Sequence, residues 1–221
     1  EDDVQSQVKQ RYALHRKFVS PLMNLLDFGR GAAAKKVARD AASNATSFLD
    51  VACGDNREII YAARACPLVV ANDISMAQIN TLEQEYRQQA KTLPSSHALL
   101  FTNHDCLDLP FRENAFDFVL VRNLLHHMEN AGDFRLLVTN LRRVGRRIAI
   151  VEIEDPSRGG FWPAIRHAYY SHWLREQGNN FFERSSFQDT IKDYFPRDKC
   201  EFKFSSTIRG VYMTAIIDKR R

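Results

Sequence analysis

Residues 50–59 read DVACGDNREI and directly follow the apolar pair Phe48-Leu49. An acid closes an apolar run, one glycine comes four residues later, and a helix-compatible stretch begins near Arg57. The order is that of a strand, a tight turn and a helix. Glycines in such a turn supply positive φ and let the backbone approach a ligand closely. Only Gly54 stands here where two or three glycines are usual. Ala52 takes the first position at the cost of one methyl, and Asn56 the third; asparagine is the non-glycine residue that best tolerates left-handed backbone. Asn56 is therefore expected at positive φ or as the cap of a helix over 57–65.

Outward from this stretch, short apolar runs alternate with helical ones. The runs are SFLDVA (47–52), PLVVAND (67–73), HALLFTN (97–103), FDFVLV (116–121) and RIAIVEI (147–153), with REIIYAARA, SMAQINTLEQEYRQQAK and AGDFRLLVTNLRRV between them. Continuous apolar strands separated by helices predict a parallel sheet buried on both faces. CEFKFSS (200–206) and GVYMTAIID (210–218) lie three residues apart and predict an antiparallel hairpin. The expected fold is α/β and Rossmann-like: a seven-stranded mixed sheet of five parallel strands plus a terminal antiparallel hairpin. It is read as one domain: an N-terminal helical cap (1–42), a core (43–153), an aromatic-rich helical insertion after strand 5 (154–197) and the hairpin (198–221). The last crossover helix is placed at 186–195.

Composition narrows the function. With 44% hydrophobic and 26% charged residues among 221, the chain reads as a globular protein. No apolar run reaches the ~18 residues that a membrane span needs. A formal charge of +4 is well short of that usual for an obligate nucleic-acid binder. Arg142, Arg143, Arg146 and Arg147 cluster, and are read as a solvated helix end. Cys53, Cys66, Cys106 and Cys200 show no CxxC or metal spacing, which fits reduced thiols in a cytoplasmic protein. No acid cluster suggests a catalytic metal.

Ligands of an open parallel sheet bind beyond the carboxyl ends of its strands. The second strand ends in Asp73, 19 residues after Gly54, where an acid can accept hydrogen bonds from ribose hydroxyls. The third is followed by Asp105-Cys106 and the fourth by Asn123. Asp108 and Asp117 are read as structural.

The set DVACGDN, NDIS-M, HDCLDLPF and FDFVLVRNLLHH, in this order and spacing, resembles the class I S-adenosylmethionine-dependent methyltransferases over about residues 44–151, and by shape over 200–218. The resemblance implies S-adenosylmethionine as cofactor and a role for each motif. Asp50, Ala52 and Gly54 would face its methionine end, and Asp73 would hold the ribose. Ile74 and Met76 would pack on the adenine, Asp105 and the Cys106 N–H would bind the ring's polar edge, and the Asn123 carbonyl would lie under the cofactor's amino group. A narrower likeness joins SPLMNLLDFGRGAAAKKVA (20–38) and LPFRENAFDFV to the ubiquinone/menaquinone C-methyltransferases, although DVACGDN departs from that group's Gly-Gly-Thr-Gly pattern.

Methyl transfer from a sulfonium needs alignment and exclusion of water, with a base where the acceptor is a hydroxyl or an acidic C–H. His126 and His127 are the candidate bases, with His15, His167 and His172 as others. His167 and His172 would lie about 140° apart on a helix, too far around it for a metal pair. His167, Tyr170 and Trp173, with Tyr169, would line a pocket for a small, aromatic or apolar substrate. Three alternatives stay open: an RNA methyltransferase, a non-catalytic protein on this fold, and a cofactor-binding fold turned to other chemistry.

Overall fold

The computed structural model describes residues 40–54, 59–89, 94–128, 130–155, 157–158, 180–207 and 210–220. Outside these lie Asn56, most of the expected N-terminal cap, and the centre of the insertion with His167, Tyr170 and Trp173.

The described elements are β1 (Ser47–Val51), α1 (Ile59–Ala65), β2 (Leu68–Asn72), α2 (Met76–Gln89), β3 (Ala98–Thr102), β4 (Phe116–Arg122), a 3-10 turn (Leu125–His127), α3 (Ala131–Val144), β5 (Gly145–Ile153), α4 (Arg184–Tyr194), β6 (Lys199–Thr207) and β7 (Gly210–Asp218). They build a seven-stranded sheet in the order β3-β2-β1-β4-β5-β7-β6. β1 to β5 pair in parallel, while β7 is antiparallel to both β5 and β6. β6 therefore runs with the first five strands, and β7 alone is reversed. The expected sheet of five parallel strands and a terminal hairpin is the observed one. The hairpin is tighter than the three-residue gap implied, because Thr207 already pairs with Gly210.

Both faces of the central strands β1, β2, β4 and β5 are covered, which is why they read as unbroken apolar runs. On one face Leu49, Val51, Val119, Val121, Ile148 and Ile150 meet α3 and α4 through Leu137, Leu141, Phe187 and Ile191. On the other, Phe48, Val69, Phe118, Leu120 and Ala149 meet α1 and α2 through Ile59, Ala63, Ile79 and Leu82. The Phe48 and Phe118 rings stack at 5.6 Å. α3 passes into β5 without a loop, and only Gly145 fits the junction: a Cβ there would lie 2.6 Å from Val119 Cγ2.

Two readings are corrected. α4 starts at Arg184, two residues before the expected 186, because Glu183 and Ser186 form a capping box with the acid in the cap position. Three of the four clustered arginines tie elements together, while Arg146 stays largely exposed. Arg142 bonds Asp198 at 2.5 Å, Arg147 bonds Asp218 at 2.8 Å, and Arg143 donates to the carbonyls of Leu109 and Phe111. These residues sit where α3 ends and β5 begins, at the amino edge of the parallel strands. The sheet order reverses between β1 and β4, so the crevice for a ligand opens at the opposite, carboxyl edge.

Candidate active site

Register sets the site's floor. Thr102, Asn72, Val51 and Val121 pair in one row across β3, β2, β1 and β4. The loops that follow therefore leave the sheet at one level, side by side at the switch point.

The β1 loop carries Ala52 at φ 54° and Gly54 at φ 53°. A Cβ on Gly54 would meet nothing within 4 Å, so glycine is required there for conformation, and the space beside it is open. Ala52 pays for the same conformation with a methyl, about 1–2 kcal/mol for an L-residue. Gly at 52 would relieve this but would loosen the unfolded chain by about 0.4–1 kcal/mol. Relief is the larger, so Ala52→Gly is expected to raise the melting temperature by roughly 2 °C; calorimetric melts of both proteins read the difference.

Asp73, buried at the end of β2, ties the first two loops together. Its Oδ2 accepts the Gly54 N–H at 2.8 Å and its Oδ1 the Ser75 N–H at 2.7 Å. Each carboxylate oxygen keeps a second lone pair for a ligand hydroxyl. Asn103 secures the same loop from β3, its Nδ2 donating to the carbonyls of Asp73 and Ile74. Asn72 ties β2 to the third loop, donating to the His104 carbonyl and accepting from Thr102 Oγ1. The side chains of Ile74 (70% exposed) and Met76 (51%) form an uncovered apolar rim beside Asp73.

Asp50, inside β1, is buried. Asp105 is exposed, and its Oδ1 accepts the Leu107 N–H at 2.9 Å, so it shapes its own turn. The surroundings of the two nearby thiols disfavour the thiolate. Burial, then Asp50 and Asp73, push Cys53 far up; burial and Asp105 push Cys106 up to about 12.

The β4 loop is fastened by a residue that sequence reasoning missed, Glu152 of β5. Asn123 stands at φ 50° and its N–H donates to the Val151 carbonyl at 2.8 Å. Beyond it, Glu152 on β5 is completely buried and takes three contacts. Its Oε1 accepts the N–H groups of Leu124 at 2.8 Å and Leu125 at 2.6 Å, and its Oε2 lies 2.7 Å from His126 Nδ1. The signal was an acid inside the apolar run RIAIVEI, on the face that Ile148 and Ile150 give to the core; a buried charge implies partners. His126 is buried, and the Phe181 ring stacks on it at 4.9 Å. The Asn180 N–H donates to the His126 carbonyl, and Arg184 forms a two-pronged bond with Glu154. The chain returning from the insertion is thus sewn to the β4 loop.

His127 is exposed, but the protein around its ring and the neighbouring His126 push its pKa down to about 4. Its neutral form is favoured in the fold, whereas the unfolded imidazole takes a proton near pH 6.5. The resulting stabilisation is complete above pH 6.5 and is lost as pH falls from 6.5 towards 4. Solvent screening keeps it small. Wild type should lose roughly 2 °C more of melting temperature over this window than His127→Gln; parallel slopes in thermal melts would contradict it.

Among the described residues, no group of three or more His, Cys, Asp or Glu is placed to hold a metal, and no helix is long and apolar enough to cross a membrane.

This sheet order, with its single reversed strand and its loops gathered at the switch point, is the class I methyltransferase fold. Residues 49–151 match the family model described as "Methyltransferase domain". Solved structures share the fold over most of the chain. The N-methyltransferase NodS from Bradyrhizobium japonicum WM9, in complex with S-adenosylhomocysteine, is 13% identical with a TM-score of 0.63, covering 88% of each chain. Geranyl diphosphate C-methyltransferase from Streptomyces coelicolor A3(2) is 14% identical with a TM-score of 0.64, covering 86% of this chain and 79% of that one. Magnesium protoporphyrin IX methyltransferase from Synechocystis PCC 6803, with bound S-adenosylhomocysteine, is 14% identical with a TM-score of 0.64, covering 92% and 88%.

Proposed function

We propose that this protein binds S-adenosylmethionine across the ends of β1 to β4 and transfers its methyl group to a small-molecule acceptor. The observation that carries the reading is the buried Asp73 carboxylate, tied to Gly54 N–H at the switch point and open to further acceptance. Asp73 would hold the ribose hydroxyls, and Ile74 and Met76 would cover the adenine with their exposed apolar surface. The Cys106 N–H and Asp105 would meet the polar edge of the ring. Asp50, Ala52 and Gly54 would face the methionine end, where the space beside Gly54 admits a ligand. The Asn123 carbonyl would accept from the amino group. Bound there, the cofactor supplies a methyl carbon on a sulfonium, an electrophile with a good leaving group.

The chain's remaining task is to align an acceptor and remove its proton. His126, held by Glu152, and His127, held neutral by its low pKa, are the groups to do so. His167, Tyr170 and Trp173 of the insertion would line the acceptor pocket. The likeness of 20–38 to quinone C-methyltransferases favours an aromatic or apolar acceptor. An RNA acceptor is disfavoured, because the arginine cluster lies at the far edge of the sheet and Arg142, Arg143 and Arg147 are engaged in internal bonds. Isothermal titration with S-adenosylmethionine and S-adenosylhomocysteine tests the reading. Micromolar binding is expected, and no heat at millimolar ligand would overturn it.

A further inference from the structure

We infer that Glu152 is a positioning residue that fixes the tautomer of His126, holding the proton on Nδ1 and presenting Nε2 as the base. The inference rests on the methyl-transfer reading for its catalytic consequence, though not for its test.

The geometry is that of an acceptor surrounded by donors. Two backbone N–H groups, of Leu124 and Leu125, converge on Oε1 at 2.8 and 2.6 Å. Backbone amides can only donate, so this oxygen is an acceptor. An ionised carboxylate accepts at its second oxygen as well, here 2.7 Å from His126 Nδ1, and Nδ1 then carries the hydrogen. Glu152 and His126 are both buried, so no water competes for the bond. Phe181 stacks on the imidazole, and His127 leans on it with ring centres 4.1 Å apart, which holds the ring in place.

The consequence is chemical as well as structural. With Nδ1–H donated to Glu152, the lone pair is on Nε2. In the methyl-transfer reading, Nε2 would take the proton that an acceptor hydroxyl or acidic carbon gives up as it is methylated, and the positive ring so formed would keep Nδ1–H against the Glu152 carboxylate. A neutral side chain of the same shape at 152 would hold the loop but reverse the tautomer. Glutamine keeps an oxygen for the two backbone N–H groups and turns an amide N–H towards Nδ1, so the ring hydrogen must move to Nε2. Nε2 could then only donate.

The experiment is long-range proton–nitrogen NMR of the uniformly 15N-labelled protein near pH 7.5, with His126→Gln assigning the ring signals. Wild type is expected to show Nδ1 protonated and Nε2 bare; Glu152→Gln is expected to show the reverse, with a cooperative melt. A wild-type ring protonated on Nε2 overturns the inference, as does a folded Glu152→Gln protein whose ring keeps its proton on Nδ1. Should that variant not fold, the wild-type spectrum alone decides. A protein with the expected tautomer that gives no heat with S-adenosylhomocysteine would sink the methyl-transfer reading and leave the Glu152 assignment standing.

Discussion

Asp73→Ala is expected to weaken binding of S-adenosylmethionine and S-adenosylhomocysteine by at least about 100-fold, the largest functional loss from any single change in the crevice. Two effects add. The variant loses the carboxylate that would accept from the ribose, where hydrogen bonds to a charged group contribute about 1.5–3 kcal/mol each. About 3 kcal/mol of lost contact is already about 100-fold in affinity. The variant also strips the acceptor from the N–H groups of Gly54 and Ser75. The β1 loop then loses the bond that holds Gly54 beside the end of β2. Asp73→Asn separates the two effects, because one amide oxygen still serves one N–H while the negative charge is gone. Its affinity should fall between those of wild type and the alanine variant. Titration of all three proteins with S-adenosylhomocysteine, beside their melting temperatures, gives the comparison. An alanine variant that binds as wild type does would remove Asp73 from the ribose role.

Most of what places the crevice was legible before the fold was known. The parallel strands announced themselves as apolar runs because both faces of the sheet's centre are buried; the half-exposed edge strand β6 was legible only from its hairpin spacing to β7, and the seven stretches match the seven strands to within a few residues. The gap of 19 between Gly54 and Asp73 reported a real contact, the 2.8 Å bond between them. The glycine-poor loop was the uncertain part. Its geometry resolves that uncertainty at one position, since Ala52 adopts the left-handed conformation that its missing glycine would have supplied. What sequence could not supply was pairing at long range. Glu152 lies 26 residues from His126, and nothing local joins an acid inside a strand to a histidine after another strand. Parallel register brings them together, with Arg122 of β4 paired to Val151 of β5 and the next residues just beyond. The arginine cluster failed for the same reason. Its partners Asp198, in the turn before β6, and Asp218, at the end of β7, are distant in sequence, so three arginines of a run that looked solvated make internal bonds.

Glu152→Ala should carry the largest cost in stability, about 3–5 kcal/mol, which is a fall of about 10 °C or more in melting temperature. The deletion removes little apolar contact. Its cost comes from the N–H groups of Leu124 and Leu125 and the imidazole Nδ1, all left without their acceptor in a dry site. Water cannot repair this cheaply, because His126 is packed between the β4 loop and the chain returning through Asn180 and Phe181. Glu152→Gln should cost far less, near 1 kcal/mol, since its oxygen still serves both backbone donors. The gap between these two variants is the informative quantity. A large gap means that Glu152 holds the β4 loop chiefly through its backbone bonds, and the loop that presents Asn123 should then loosen with it. Amide hydrogen exchange at Leu124 and Leu125 reads this directly: fast in Glu152→Ala, slow in Glu152→Gln. Equal melting temperatures for the two variants would mean that the charge on Glu152, and not its place as an acceptor, is what the fold requires.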